Sequence, residues 1–170
     1  FKKIYLKTRM MEKQTKTEKK ETKTADAGLT ILIRISGMVK VNEKIENTLH
    51  RLKLRRKYSA VVVDASDKQI KGMIDKVKHY IAYGPIDEKV LVKLIGDRAK
   101  NIEGDKRELK IDAEKVAKDL IAGKKLSELG LKPFFRLHPP RKGIKSKLQY
   151  PKGVLGNNKK DINKLVEKML

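Results

Sequence analysis

The first regular alternation of apolar residues spans residues 28–37 and predicts a β-strand. Every second residue in Leu29–Ile35 is apolar, so these residues share one face of the strand, whereas Leu32 and Arg34 lie on the other. The second face carries fewer apolar residues. We therefore expect it to be the less buried face, with Arg34 projecting from it.

A helix and a second strand follow. Asn42 can cap a helix with apolar residues at helical spacing, and this helix ends in the basic run Lys53–Lys57. The residues Ala60–Val63 are small or β-branched, which predicts a fully buried strand. The order of these elements predicts a β-α-β unit with a right-handed crossover.

A second helix and a third strand complete the predicted core. Ser66 and Gln69 have the spacing of a capping box at the start of the helix, and a strand around Tyr80–Tyr83 is expected to stop at Gly84 and Pro85. These elements predict an α+β fold over residues 28–86. We expect a small three-stranded sheet with two helices on one face, in a ferredoxin-like split β-α-β arrangement.

The rest of the chain is expected to add to this core. Residues 87–128 have helical periodicity, with Asp112 as a helix cap, and are predicted to be a helical insertion that packs beside the core. Residues 129–170 are predicted to form a basic loop arm followed by a C-terminal helix. Residues 1–27 are rich in Lys, Thr and Glu without an apolar period, so we expect a mobile basic tail.

The charge of the chain indicates a polyanionic partner. The formal net charge is +22, and residues 129–160 contain nine basic residues and no acidic one. Aromatic residues make up only 5% of the chain, so contacts with phosphates are favoured over stacking on bases. The chain contains no Cys, which excludes disulfides, thiol nucleophiles and Cys-containing zinc sites. No apolar run has the length of a membrane span.

Several features also have simpler interpretations. A run such as Lys53–Lys57 is commonly a solvated helix end, where cations favour the negative end of the helix dipole. The three His residues have no partners at the spacing of metal ligands, so we expect no metal site and no cofactor. Gly72 lies inside a helical pattern, where glycine lowers the stability of the helix. Either the fold tolerates this loss of stability, or glycine allows the helix backbone to approach the sheet or a phosphate closely.

Residues 29–86 resemble the large-subunit ribosomal protein family thirty. The resemblance rests on Ile33-Arg-Ile-Ser-Gly37, on Leu52-Lys-Leu-Arg-Arg56, and on Lys71-Gly-Met-Ile74 with Lys76-Val-Lys-His79. Beyond this core, Leu131-Lys-Pro-Phe-Phe-Arg-Leu-His-Pro-Pro-Arg141 is similar to the extension of archaeal members and of their eukaryotic L-seven relatives. Bacterial members stop near the core, so the resemblance implies a protein of archaeal type.

The resemblance implies a structural protein of the large ribosomal subunit and no enzyme. Its expected partners are large-subunit ribosomal RNA, including the five-S RNA, and neighbouring ribosomal proteins, with no membrane and no small-molecule substrate. The ribosome would place it in the cytoplasm. The side chains expected to contact RNA are basic or imidazole groups in predicted loops and at helix ends: Arg34, Lys40, Lys53, Arg55, Arg56, Lys57, Lys76, His79, Arg136, His138, Arg141, Lys142, Lys145 and Lys147.

Two other functions fit parts of the pattern. A stand-alone RNA-binding or ribosome-assembly factor would carry the same basic surface. A nucleic-acid-modifying enzyme would need a nucleophile, a general acid and base, or metal ligands, and the sequence shows no such set. We also expect residues 129–160 to be mobile in the free protein and to become ordered on RNA, with Pro139 and Pro140 holding the chain extended.

Overall fold

Five strands form one mixed sheet in the order β4-β2-β1-β3-β5. The computed structural model describes residues 28–102, 112–144 and 146–170, so the predicted mobile tail lies outside the described residues. The strands are β1 (Leu29–Arg34), β2 (Ser59–Asp64), β3 (Ile81–Pro85), β4 (Phe135–Arg136) and β5 (Gly156–Asn157). The α+β class is confirmed. The sheet is larger than the predicted three strands because two short strands from the C-terminal part extend it at both edges.

The helices in the described ranges are α1 (Glu43–Arg51), α2 (Lys68–Val77), α3 (Glu88–Arg98), α4 (Ala113–Ile121) and α5 (Asp161–Met169). Asn42 caps α1 as predicted, since its Oδ1 accepts a hydrogen bond of 3.0 Å from the Lys44 amide. The capping box predicted at Ser66 and Gln69 is wrong. Asp67 is the N-cap of α2 and makes no side-chain capping bond, while the Ser66 amide donates to Asp64 Oδ1.

The connection between β1 and β2 also differs from the prediction. The two strands are antiparallel neighbours, with Leu32 opposite Val61, so the right-handed β1–helix–β2 crossover is wrong. The nine-residue helix α1 is followed by residues 52–58, which return the chain to the end of the sheet where β1 finishes. Strand β1 is antiparallel to β3 as well. The split β-α-β unit is therefore β2-α2-β3, with β1 between its two parallel strands.

Apolar side chains cover both faces of the sheet. Ile31, Ile33 and Ile35 pack on one face in a cluster with buried residues of α3, α4 and α5. Leu32 packs on the other face against α1 and α2. The expectation that this second face is less buried is wrong, because two helices cover it, and Arg34 is only 1% exposed.

The second strand is only partly buried, which corrects the prediction of a fully buried strand. Ser59, Ala60 and Val61 are buried, but Val62 and Val63 are half-buried. The reason is the shortness of β4, which pairs with Ser59 and Ala60 alone. Beyond that pair, the outer edge of β2 lines an open cavity.

Gly84 and Pro85 lie inside β3, so the expected stop before them is wrong. Gly84 pairs with Ile31 of β1. A Cβ atom added at Gly84 would lie 2.5 Å from the carbonyl oxygen of Lys159 and 3.1 Å from Ile162 Cγ2. Glycine is therefore needed here for the close approach of the segment that enters α5, and it does not act as a turn.

Candidate nucleic-acid interface

Three connections of the core meet at one end of the sheet. Strand β1 finishes at this end and β2 and β3 begin there, which places residues 35–42, 52–58 and 78–80 side by side. The Ile35 and Ser36 amides donate to the Tyr80 carbonyl oxygen over 3.2 and 3.1 Å, and the Tyr58 amide donates to the Arg34 carbonyl oxygen over 2.7 Å. We call this end of the sheet the basic end.

The connections place exposed cationic side chains at the basic end. Lys40 lies in the first connection, and the second contains the exposed residues Arg55, Arg56 and Lys57. Lys57 Nζ lies 4.7 Å from the centroid of the Tyr58 ring, a distance at which a cation and an aromatic face attract each other. The exposed His79 belongs to the third connection, and Lys76 occupies the last turn of α2 just before it.

Part of the arm, which we define as residues 129–160, docks at the same end. Arg136 pairs with Ser59 at the start of β2, and the Leu137 amide donates to the Tyr58 carbonyl oxygen over 3.0 Å. The amides of His138 and Arg141 then donate to the carbonyl oxygens of Met169 and Lys168 at the end of α5, each over 2.9 Å. These bonds hold the exposed residues of this part of the arm beside the core: Arg136, His138, Arg141 and Lys142.

A second contact joins the arm to the core farther along the chain. Gln149 Nε2 lies 2.7 Å from His79 Nδ1, so the amide group donates to the imidazole ring. Lys147 is exposed two residues before Gln149. Lys145 lies outside the described residues.

Two of the candidate contact residues have other surroundings. Lys53 is exposed, but it lines the cavity of about 600 Å³ beside β2, together with Val62 and Met73. Arg34 is buried and donates to four backbone carbonyl oxygens. Burial lowers the pKa of Arg34 from its usual value, with an opposing effect of the Glu46 carboxylate, and the guanidinium stays charged because an arginine pKa is so high.

The two ends of the sheet differ in charge. The three connections of the basic end, residues 35–42, 52–58 and 78–80, contain no Asp or Glu, whereas the segments at the opposite end carry both signs and are close to neutral. Their charged residues are Asp64, Asp67, Lys68, Asp87, Glu88, Lys89, Lys159, Lys160 and Asp161. Ion pairs between described residues include Lys115–Asp112 and Lys124–Asp119 at α4 and Lys164–Asp161 on α5. None of these three pairs involves a residue of the three connections. The basic end therefore presents cations with few acidic neighbours among the described residues.

Two groups at the basic end are absent from the contacts predicted from sequence. Met38 and Val39 are 54% and 85% exposed in the first connection, although both are apolar. Gln149 connects the arm to His79. The acid-free composition of the arm pointed to its involvement, but a single Gln in a predicted loop gives no sign of its partner.

The described residues contain no group of three or more His, Cys, Asp or Glu side chains placed to hold a metal ion. Within the same ranges, no helix has the length and apolar character needed to cross a membrane. His50 makes a contact of 3.6 Å with Glu46 one turn earlier on α1 and lies on an exposed helix face.

The family model for ribosomal protein L30p/L7e matches residues 31–81. This match runs from β1 to the first residue of β3 and includes all three connections of the basic end. A protein of Archaeoglobus fulgidus named large ribosomal subunit protein uL30 is 40% identical over 149 residues, which cover 81% of this chain and 97% of the relative. This chain belongs to the ribosomal protein L30p/L7e family.

Further relatives have the same name and similar coverage. The protein of Nanoarchaeum equitans is 40% identical over 81% of this chain and 96% of its own length. The protein of Aeropyrum pernix is 37% identical over 84% of this chain and 99% of its own length. The predicted family and its archaeal type are confirmed. The family consists of structural ribosomal proteins of the large subunit, and it is not a family of enzymes.

Proposed function

We propose that this chain is a structural component of the large ribosomal subunit that binds ribosomal RNA through the basic end and the arm. One observation supports this proposal most strongly. The fold brings cations from separate segments, among them Lys40, Arg55 and Arg136, to one end of the sheet, while the other end carries charges of both signs. Such an arrangement orients the molecule toward a polyanion.

The chemistry of this surface favours phosphate groups as the main ligands. Arg55 and Arg56 present planar guanidinium groups that suit bidentate contacts with phosphate oxygens. Contacts of this type displace counterions from the nucleic acid, so they give affinity that falls with salt but little discrimination between bases. The proposed role is therefore to neutralise and hold folded ribosomal RNA, and no reaction is involved.

The proposed site within the particle combines this basic surface with what the family resemblance implies. We propose that the basic end and the arm contact the large ribosomal RNA, with the five-S RNA nearby, and that the other sides face neighbouring large-subunit proteins. The location is the cytoplasm, as part of the ribosome. The proposed contact residues are those exposed at the basic end and on the arm: Lys40, Arg55, Arg56, Lys57, Lys76, His79, Arg136, His138, Arg141, Lys142 and Lys147.

Cross-linking in purified large subunits tests the orientation. We expect RNA cross-links in residues 38–40, 55–58 and 136–142, and none on the exposed face of α4, which includes Lys115 and Lys118. RNA cross-links concentrated on α4 would overturn the proposed interface. Sedimentation of mature subunits at physiological salt tests the role itself, because a structural component stays with the particle, whereas an assembly factor is released.

A further inference from the structure

We infer that Arg34 is a positioning residue for RNA binding and does not itself contact RNA. It ties together two of the connections that carry the cations of the basic end, residues 35–42 and 52–58. This inference rests on the proposed function. It adds an internal support to the interface, at a residue that the sequence alone places among the expected contacts.

The hydrogen bonds of the Arg34 guanidinium join the two connections directly. Its Nη1 donates to the carbonyl oxygens of Leu54 and Arg55, each over 2.8 Å. Its Nη2 donates to the Gly37 carbonyl oxygen over 2.9 Å, and its Nε donates to the Ser36 carbonyl oxygen over 3.2 Å. Four carbonyl oxygens from two separate segments thus share one planar cation.

These bonds leave little of the group for a phosphate. Arginine has five N–H donors, and four carbonyl oxygens already accept from this one. The side chain is also 1% exposed, so an RNA phosphate would have to displace the connections to reach it. Arg34 is therefore not part of the outer surface, and its positive charge is stabilised in place by hydrogen bonds to backbone carbonyl oxygens.

Backbone strain in the same connections gives a second, independent reason for a clamp. Lys40 and Tyr58 have φ angles of 58° and 61°, in the left-handed region that residues with a Cβ rarely adopt. Such conformations persist only where the surrounding structure enforces them. Both residues lie in the segments that Arg34 holds, and Lys40 is one of the proposed contact residues. Lys53 also has a positive φ, of 59°, but the hydrogen bonds that end α1 account for it, since the Lys53 amide donates to the His50 carbonyl oxygen.

The consequence for binding is a smaller ordering cost. Loops that are free to move lose conformational entropy when they dock on RNA, and this loss weakens the complex. With Arg34 in place, hydrogen bonds hold the carbonyl groups of Arg55 and Gly37 in position before RNA binds. Removing the clamp should weaken binding without removing any phosphate contact.

The test compares Arg34→Met and Arg34→Lys with Arg51→Met, a control that removes one exposed positive charge from the end of α1. Binding to large-subunit ribosomal RNA is measured over a range of salt concentrations. We expect Arg34→Met to weaken binding about tenfold at every salt concentration, with an unchanged slope of log affinity against log salt. Arg34→Lys should recover part of the loss, and Arg51→Met should change little.

Amide exchange on the free proteins provides the second readout. In both Arg34 variants, exchange should accelerate in residues 36–40 and 53–58 while the central strands stay protected. A slope lower by about 0.7 to 0.9 would show a direct phosphate contact and overturn the inference. So would unchanged affinity, or exchange accelerated throughout β1, β2 and β3, which would show a general structural role. If the wild-type chain does not bind this RNA, the proposed function itself fails, and the positioning role fails with it.

Discussion

Gln149 donates to His79 over 2.7 Å, and this bond joins the arm to the connection between α2 and β3. A second contact between the arm and the core lies on the β2 side of the sheet, where Arg136 pairs with Ser59. The arm therefore contacts the core at both the β2 and the β3 side of the basic end. These two contacts hold Arg136 and Gln149 of the arm beside the connections of the core.

The arginine pair in the second connection should supply phosphate contacts. We expect Arg55→Ala with Arg56→Ala to lower the salt slope of RNA binding by about 0.7 to 0.9 for each phosphate that is no longer bound. Folding should be unaffected, because both side chains are exposed and the Arg55 carbonyl oxygen still accepts from Arg34. The matched control is Lys115→Ala with Lys118→Ala on α4, which removes the same charge. Equal slopes for both double variants would remove the arginine pair from the interface.

The uneven burial of β2 predicts different costs for one substitution at two positions. Ala60 is fully buried between its neighbours, so Ala60→Asp places an unpaired charge in the core and should cost several kcal/mol, enough to unfold a marginal domain. Val62 is half-buried beside the open cavity, where an aspartate remains partly hydrated. We expect Val62→Asp to stay folded at room temperature. Thermal melts with identical midpoints for the two variants would contradict this interpretation of the strand edge.

The two explanations for Gly72 are also separable. A Cβ atom added at Gly72 meets no described atom within 4 Å, so the structure gives no close approach that would require glycine. Gly72→Ala should therefore stabilise α2 by about 0.5 to 1 kcal/mol and raise the melting temperature by about 1 to 4 °C. Gly84→Ala is the contrasting variant, because its Cβ would meet the Lys159 carbonyl oxygen and should lower the melting temperature. A lower melting temperature for Gly72→Ala would contradict this explanation and favour a close approach of the helix backbone.

The periodicity of apolar residues was sufficient to predict the main helices and strands of this fold, but it did not predict how the strands pair. The stripes of α1 and α2 and the alternation in β1 are local patterns, and the structure confirms these elements near the predicted residues. The direction of β2 depends on the path of residues 52–58, which no local pattern encodes. The two-residue strands β4 and β5 exist only through pairing with distant strands, so the sequence could not predict how they extend the sheet.

The candidate site shows the same limit at the level of side chains. Charge counting found the basic connections and the acid-free arm, because both are properties of composition. The alternation in β1 correctly separated Arg34 from Ile33 and Ile35, but it could not tell that helices α1 and α2 cover the face of Arg34. The sequence alone does not distinguish a buried arginine from an exposed one. The structure does so here, because it shows four carbonyl oxygens around the Arg34 guanidinium.

The last prediction concerns the mobility of the arm, which the sequence led us to expect throughout residues 129–160. The described hydrogen bonds divide the arm into anchored and exposed parts. The amides of Leu137, His138 and Arg141 donate to carbonyl oxygens of the body, whereas Lys142 and Lys147 are exposed in turns between the anchors. We therefore expect the free protein to protect the first group of amides from exchange and to leave the second group unprotected.

Assembly into the large subunit should change only the second group. Protection at Lys142 and Lys147 should rise sharply, since phosphate contacts would order the turns that carry them, and Pro140 already limits the entropy lost there. Leu137 and His138 serve as internal controls, with protection in both states. Equal protection of Lys142 and Lys147 in the free and assembled protein would show that these lysines form a solvated surface. Their charge would then contribute to solubility and to long-range attraction of RNA, and the contacts of the arm would end at Arg141.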